Sequence, residues 1–180
     1  MAKNKRDIDR KLKQDDIEVA ACRQFLALGY EATSMANVAA AAGVAPNTLY
    51  WYFANKDDLL IAVLDRLVGQ ALTALLPLKD KPLSDQLKWL LGEFSQANKL
   101  VSTVHARLAH SEAIREWHDR FHKMLDEMLI SHMVAKGMDR KKASLMATIG
   151  TFVVEGLMSH PHTAQQFDTV VKWLAGTDKA

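Results

Sequence analysis

The 180-residue sequence contains one cysteine, Cys22. A lone thiol forms no intramolecular disulfide and builds no cysteine-rich zinc site, so a reducing cytoplasm is the default compartment. Proline and glycine are sparse, at 4 and 8 residues, which excludes collagenous and Pro/Gly-rich low-complexity chains. No stretch alternates apolar with polar residues, and neither Asn-Gly nor Asp-Gly occurs, so the local signals of strands and hairpins are missing. Neither sign of charge dominates, with 23 Lys and Arg against 21 Asp and Glu. The longest run without a charged residue, Ala32 to Asn55, is broken by Thr33, Ser34, Asn37, Gly43, Pro46, Asn47 and Thr48, which argues against a membrane span. Met1 to Lys13 is charged where a secretory signal needs an apolar core, so no export and no membrane partner are expected.

What the chain has is helical periodicity and 49% hydrophobic residues, enough for a sizeable core. An all-α fold is expected. A first helix over about 15–28 puts Ile17, Ala21, Phe25 and Leu28 on one face and stops at Gly29. Thr33 and Ser34 precede a short Ala-rich helix, Met35 to Ala42, which ends at Gly43; Pro46 then opens a second short helix running to Phe53. Two short helices with so tight a turn make a helix-turn-helix. Asn55 caps a longer helix to Leu76, and Leu78 to Leu83 is the one candidate linker. Further helices are expected over about 84–101, 103–110, 112–136, 139–159 and 163–175, with Ser84 capping the first and Gly137 and Pro161 punctuating the last three.

Charge is uneven along the chain. Residues 1–14 hold Lys3, Lys5, Arg6, Arg10, Lys11 and Lys13 against Asp7 and Asp9. So little apolar content predicts a basic arm that is mobile until it meets a partner. Residues 15–66 are net acidic, so bulk charge does not announce nucleic acid.

Geometry does. At 100° per residue, Pro46, Leu49 and Phe53 share one side of the helix at 46–53, leaving Asn47, Thr48 and Trp51 opposite, flanked by Tyr50 and Tyr52. A merely solvated helix carries Lys, Glu or Gln there. Exposed aromatic surface marks a contact, and for DNA each type fits: Asn can bridge adenine N6 and N7, Thr and Trp can meet a thymine methyl, and Tyr hydroxyls reach phosphates. With no charge on this face, phosphate binding falls to Thr33, Tyr50, Tyr52, Lys56, helix amides and the basic arm. The competing reading buries Trp51 and the tyrosines under the rest of the chain.

Gly29-Tyr30, Thr33-Ser34, Val38-Ala39, Ala42-Gly43-Val44, Thr48-Leu49-Tyr50, Tyr52-Phe53, Lys56 and Leu59-Leu60 together resemble the N-terminal DNA-binding signature of the TetR family of bacterial transcriptional regulators. The likeness spans about 14–64 without gaps. It implies a basic arm at 1–14, a three-helix DNA-binding domain at 15–60 with Pro46 to Phe53 as recognition helix, and a ligand-binding, dimerising domain at 61–180. It also implies that Thr33 and Lys56 contact backbone phosphate, which makes the DNA-facing set Thr33, Ser34, Asn47, Thr48, Tyr50, Trp51, Tyr52 and Lys56. Trp51 stands at a variable position of the pattern, so the bases read do not transfer. The implied partners are a pseudo-palindromic double-stranded operator, a second copy of the chain and a small-molecule effector, with no cofactor and no catalysis.

The remaining chain carries no matching signature. Trp89, Phe94, Trp117, Phe121, Met124, Met128, Met146 and Phe152 exceed what a thin helical layer needs, which suggests an adaptable apolar pocket. Its expected lining is Trp89, His105, Trp117, His118, Phe121, Met124 and Phe152. Ala143, Ala147, Gly150 and Thr151, continued by Val154 and Leu157, form a shallow stripe expected to meet a second subunit, together with the helix at 163–175. His118 and His122 have the i, i+4 spacing of metal ligands, but no third ligand is apparent and no metal is assigned. The alternative function is a helical metal-binding protein or enzyme that uses these two histidines.

Overall fold

The computed structural model describes residues 5–176, and every regular element among the described residues is helical. The order is α1 (Lys5–Leu28), α2 (Met35–Ala41), α3 (Pro46–Tyr52), α4 (Lys56–Leu75) with a 3-10 turn at Leu76–Leu78, α5 (Leu83–Gln96), α6 (Asn98–Arg107), α7 (Glu112–Ala135), α8 (Arg140–Ser159) and α9 (Ala164–Leu174).

Two boundaries differ from expectation. α1 starts at Lys5 rather than near Asp15, so most of the basic segment is helix. No Gly or Pro interrupts residues 5–28, and Lys, Arg and Gln extend a helix at little cost. Lys3 lies outside the described residues. The break between α5 and α6 falls at Ala97, and Pro82, not Ser84, holds the N-cap position of α5. Elsewhere side chains close the helix ends, at Asn55 as expected. Asn55 Oδ1 accepts from the Asp58 N–H at 2.9 Å, Asp139 accepts from the Lys141 and Lys142 amides, and Thr163 and Gln166 form a reciprocal capping box on α9.

The chain divides into two compact units. One comprises the described residues through Leu72 together with Lys99–Arg115; the other comprises Thr73–Asn98 and the described residues from Glu116 on. In the first, Ile17, Ala21 and Phe25 of α1 are fully buried with Val38, Leu49, Leu59, Leu60, Val63, Leu100 and Ile114. Such side chains stabilise the fold by about 1.5–3 kcal/mol each. Leu28, expected on the same stripe, is exposed. α4 is long and apolar enough to cross a membrane, yet its Leu59, Leu60, Val63 and Leu64 are buried in this core.

In the second unit Ile130 of α7 packs with Ala143 and Ala147 of α8, flanked by Leu129, Met133 and Met138. A Cβ at Gly150 would lie 3.9 Å from Leu174 of α9. The small residues expected to admit a second subunit are therefore consumed within the chain, because only small side chains let α8 lie close to its own neighbours. Facing away from them, Leu145 and Phe152 are 61% and 68% exposed. Lys88 of α5 pairs with Asp168 of α9, and Lys172 holds the same carboxylate at 2.6 Å.

Candidate nucleic-acid interface

The turn between α2 and α3 is set by few residues. Ser34 caps α2 by accepting from the Asn37 N–H at 3.1 Å, and Gln24 of α1 donates to the Asn37 carbonyl at 3.1 Å. Gly43 adopts φ +65°, a conformation that costs other residues about 1–2 kcal/mol. This lets Val44 N–H donate back to the Ala39 carbonyl at 2.9 Å and redirects the chain into Pro46 at the start of α3. Leu49 and Phe53 point inward and are buried, which fixes the rotation of α3.

That rotation leaves Asn47 exposed and Thr48 and Tyr52 half-buried. Tyr50 and Trp51 are 52% and 62% exposed. The aromatics are thus not buried under the chain; Pro46, expected on the apolar stripe, is exposed as well. Trp51 meets Tyr52 edge-on with ring centroids 4.8 Å apart, and the Arg10 guanidinium of α1 lies 4.5 Å from the Trp51 ring centroid. The extension of α1 therefore brings a permanent positive charge to an otherwise uncharged face.

Thr33 has a different place from the one expected of it. It is 1% exposed, and its hydroxyl donates to the Gly29 carbonyl at 2.8 Å. Its side chain braces the α1–α2 turn, and a buried, already donating hydroxyl is no open phosphate ligand. Ser34 is exposed but accepts in its capping bond.

Lys56 stands at the start of α4 with Nζ 4.0 Å from the centroid of Tyr30. Burial lowers its pKa from the ordinary lysine value, partly opposed by the negative charge of Glu31. Beneath it lies a network that the sequence did not disclose. The Tyr30 hydroxyl donates to Asp57 Oδ1 at 2.5 Å, while Arg107 of α6 places Nε 2.7 Å from Oδ1 and Nη2 2.8 Å from Oδ2 of the same carboxylate. Burial alone would raise the Asp57 pKa, but hydrogen bonds from Arg107, Tyr30 and Ser111 outweigh it and hold the carboxyl below its ordinary range. The Tyr30 phenol is pushed up, first by burial and then by its bond to Asp57. No local pattern ties Arg107 and Asp57 to Tyr30, and Arg10, expected only as part of the basic arm, has none that ties it to Trp51.

Of the expected pocket residues, the second unit brings Trp117, Phe121 and His118 together. Trp117 stacks on Phe121 with centroids 5.2 Å apart, Phe94 joins edge-on at 5.9 Å, and His118 packs against His122 at 4.2 Å. Trp89 and Met124 are half-buried on α5 and α7. Phe152 points outward, and His105 is an exposed residue of α6 in the first unit.

Residues 17–63 match the family model for bacterial regulatory proteins, tetR family. Solved structures share the whole architecture. A transcriptional regulator from Rhodococcus sp. Rha1 superposes with TM-score 0.71 at 18% identity, covering 90% of this chain and 93% of its own. Salmonella enterica GusR gives 0.68 at 23%, covering 92% and 94%. The multidrug binding protein EbrR, complexed with imidazole, gives 0.65 at 22%, covering 90% and 94%.

Proposed function

We propose, from the match of residues 17–63 to the family model for bacterial regulatory proteins of the tetR family, that this chain is a homodimeric repressor released from its operator by a small molecule. The coarser role is that of a DNA-binding transcriptional regulator. The observation that carries the reading is the outward face of α3, where Asn47, Tyr50 and Trp51 stand clear of the core on a helix rotated by buried Leu49 and Phe53. Asn47, Thr48 and Trp51 read base edges; Tyr50, Tyr52, Lys56 and Arg10 hold the backbone.

Dimerisation uses the face of α8 around Leu145 and Phe152, together with Trp173 of α9, which is also exposed. Large exposed apolar side chains on terminal helices are what a two-fold helical interface buries. Two copies then present their α3 helices to half-sites about one DNA turn, roughly 34–36 Å, apart. The effector binds beside the stacked Trp117 and Phe121, with His118 as a polar anchor; a related fold holding imidazole, in a protein named for multidrug binding, supports such a pocket. This role needs no enzymatic step.

Footprinting on DNA upstream of the protein's own gene tests the reading. A protected pseudo-palindrome, lost on addition of a compound that quenches Trp117 fluorescence, is the expected result. Protection of random DNA to the same extent would sink it.

A further inference from the structure

Asp57 follows Lys56 in the first turn of α4, where two demands conflict. A carboxylate there stabilises the helix through its dipole. The same charge repels any phosphate that Lys56 and the helix amides would hold. The surrounding sequence deepens the conflict, because residues 15–66 carry three Lys and Arg against seven Asp and Glu. Of those three cations, Arg66 is paired with Asp15 and Glu18 of α1.

A countercharge arrives from another helix. Arg107 lies in the last turn of α6, and Lys99–Arg115 belongs to the same compact unit as the chain through Leu72. Its Nη2 donates to Asp57 Oδ2 at 2.8 Å, and its guanidinium carbon stands 5.1 Å from the Tyr30 ring centroid. Lys56 Nζ meets the same ring at 4.0 Å, while the Tyr30 hydroxyl donates to Asp57. One tyrosine thus touches both cations and the carboxylate. We propose that Arg107 sets the strength of DNA binding without touching DNA, by cancelling the charge of Asp57 beside Lys56 so that the start of α4 accepts backbone phosphate. This rests on Lys56 as a phosphate contact.

Protonation cannot do the same work. Asp57 is held below its ordinary carboxyl range, so it is an anion at neutral pH and needs a partner. Arginine suits the task because its guanidinium stays charged at every relevant pH. Both side chains are part-buried, so water and salt screen the pair less than they would at the surface. At Lys56, beyond burial and the pull of Glu31, Arg107 and Asp57 act with opposite signs, which is what cancellation at that point requires.

A charge canceller and a plain structural latch predict different double variants. Breaking a latch from either side gives the same loss, and breaking it from both restores nothing. If Arg107 acts by cancelling Asp57, removing the carboxylate makes the arginine dispensable for binding.

The test is fluorescence anisotropy of a labelled random-sequence duplex with the full chain over a range of salt concentrations. Arg107→Met should weaken binding by about 3–10-fold at low salt, with the gap closing as salt rises. The Arg107→Met, Asp57→Asn double variant should return to within about twofold of wild type. Asp57→Asn alone should bind at least as tightly as wild type at low salt, and it carries the result if circular dichroism shows that Arg107→Met fails to fold. Arg140→Ala, which removes a cation from the exposed pair with Glu127 in the second unit, should bind as wild type does. Unchanged binding by Arg107→Met, equal losses in that variant and the double variant, or a loss in Asp57→Asn alone would overturn the inference. Lys56→Ala separates the two levels of the argument. If it weakens binding while Arg107→Met does not, only the role of Arg107 falls; if it binds as wild type does, the phosphate contact falls and this inference with it.

Discussion

Asp57, in the first turn of α4, accepts a hydrogen bond from Nη2 of Arg107, in the last turn of α6, at 2.8 Å, and the same guanidinium brings Nε to 2.7 Å from its other oxygen. The two residues are 50 positions apart in sequence, so the contact ties the start of α4, next to α3, to a distant helix of the same compact unit. A charge-assisted hydrogen bond between two part-buried side chains makes it stronger than an ordinary surface pair. Arg107→Ala should lower unfolding free energy by about 1–3 kcal/mol, read from urea melts at neutral pH.

The same carboxylate gives a pH dependence. Asp57 is held below its ordinary value of 3.8, so near that value the unfolded chain binds more protons than the folded one. The stability it contributes is fully present above pH 3.8 and is lost as pH falls through the lower folded value. Asp57→Asn should therefore be less stable than wild type at neutral pH, with the gap closing under acid. A gap that stayed constant down to pH 2 would mean that the charge of Asp57 is not the source of the effect.

Asn47→Ala should weaken binding to the preferred operator by about 1–3 kcal/mol and relax the choice of base at one position. Lys56→Ala should instead weaken all sequences alike and lower the steepness of the salt dependence by about one unit. Competition mobility shifts with operator and random DNA separate the two. Equal losses on both DNAs for Asn47→Ala would remove it from base reading.

Arg10 is placed against Trp51 by helix α1 itself. Arg10→Ala should reduce operator affinity most at low salt, with thermal stability unchanged, because an exposed cation–π pair is worth only about 0.5–1 kcal/mol. Deleting residues 2–10 should also shorten a helix, so mean residue ellipticity near 222 nm should fall in proportion. An unchanged helical signal on deletion would return that segment to the status of an unstructured arm.

The legible part of the sequence was its local chemistry. Gly29, Gly43, Pro46 and Asn55 each act within a few residues of their own position, and the helices begin or end where these residues direct. The orientation of α3 was legible for the same reason, since Leu49 and Phe53 leave only one face outward. Contacts across long separations were not. Glu155 of α8 comes within 3.4 Å of His122 of α7, and no periodicity within either helix points to the other. The start of α1 was missed because a basic segment without apolar residues reads as unable to pack, while helix needs only permissive residues and a folded continuation to grow from. The break at Ala97 has no Gly or Pro to announce it.

Alternation of small and large residues on α8 is where pattern and packing diverged, and it sets up the sharpest comparison. Ala143 and Ala147 are at most 1% exposed and pack within the chain, whereas Leu145 and Phe152 lie on the other side of the helix and face out. A charge at Ala147 must therefore enter a filled core, at a cost of several kcal/mol if it stays ionised. Ala147→Glu should melt far below wild type or fail to fold. A charge at Phe152 meets solvent in a single chain and is costly only where a second chain covers it. Phe152→Glu should yield a folded, helical monomer in analytical ultracentrifugation that has lost cooperative binding to the two half-sites. If Phe152→Glu remains a dimer with wild-type operator affinity, while a milder change at Ala147 such as Ala147→Ser dissociates it, the interface lies on the small-residue side after all.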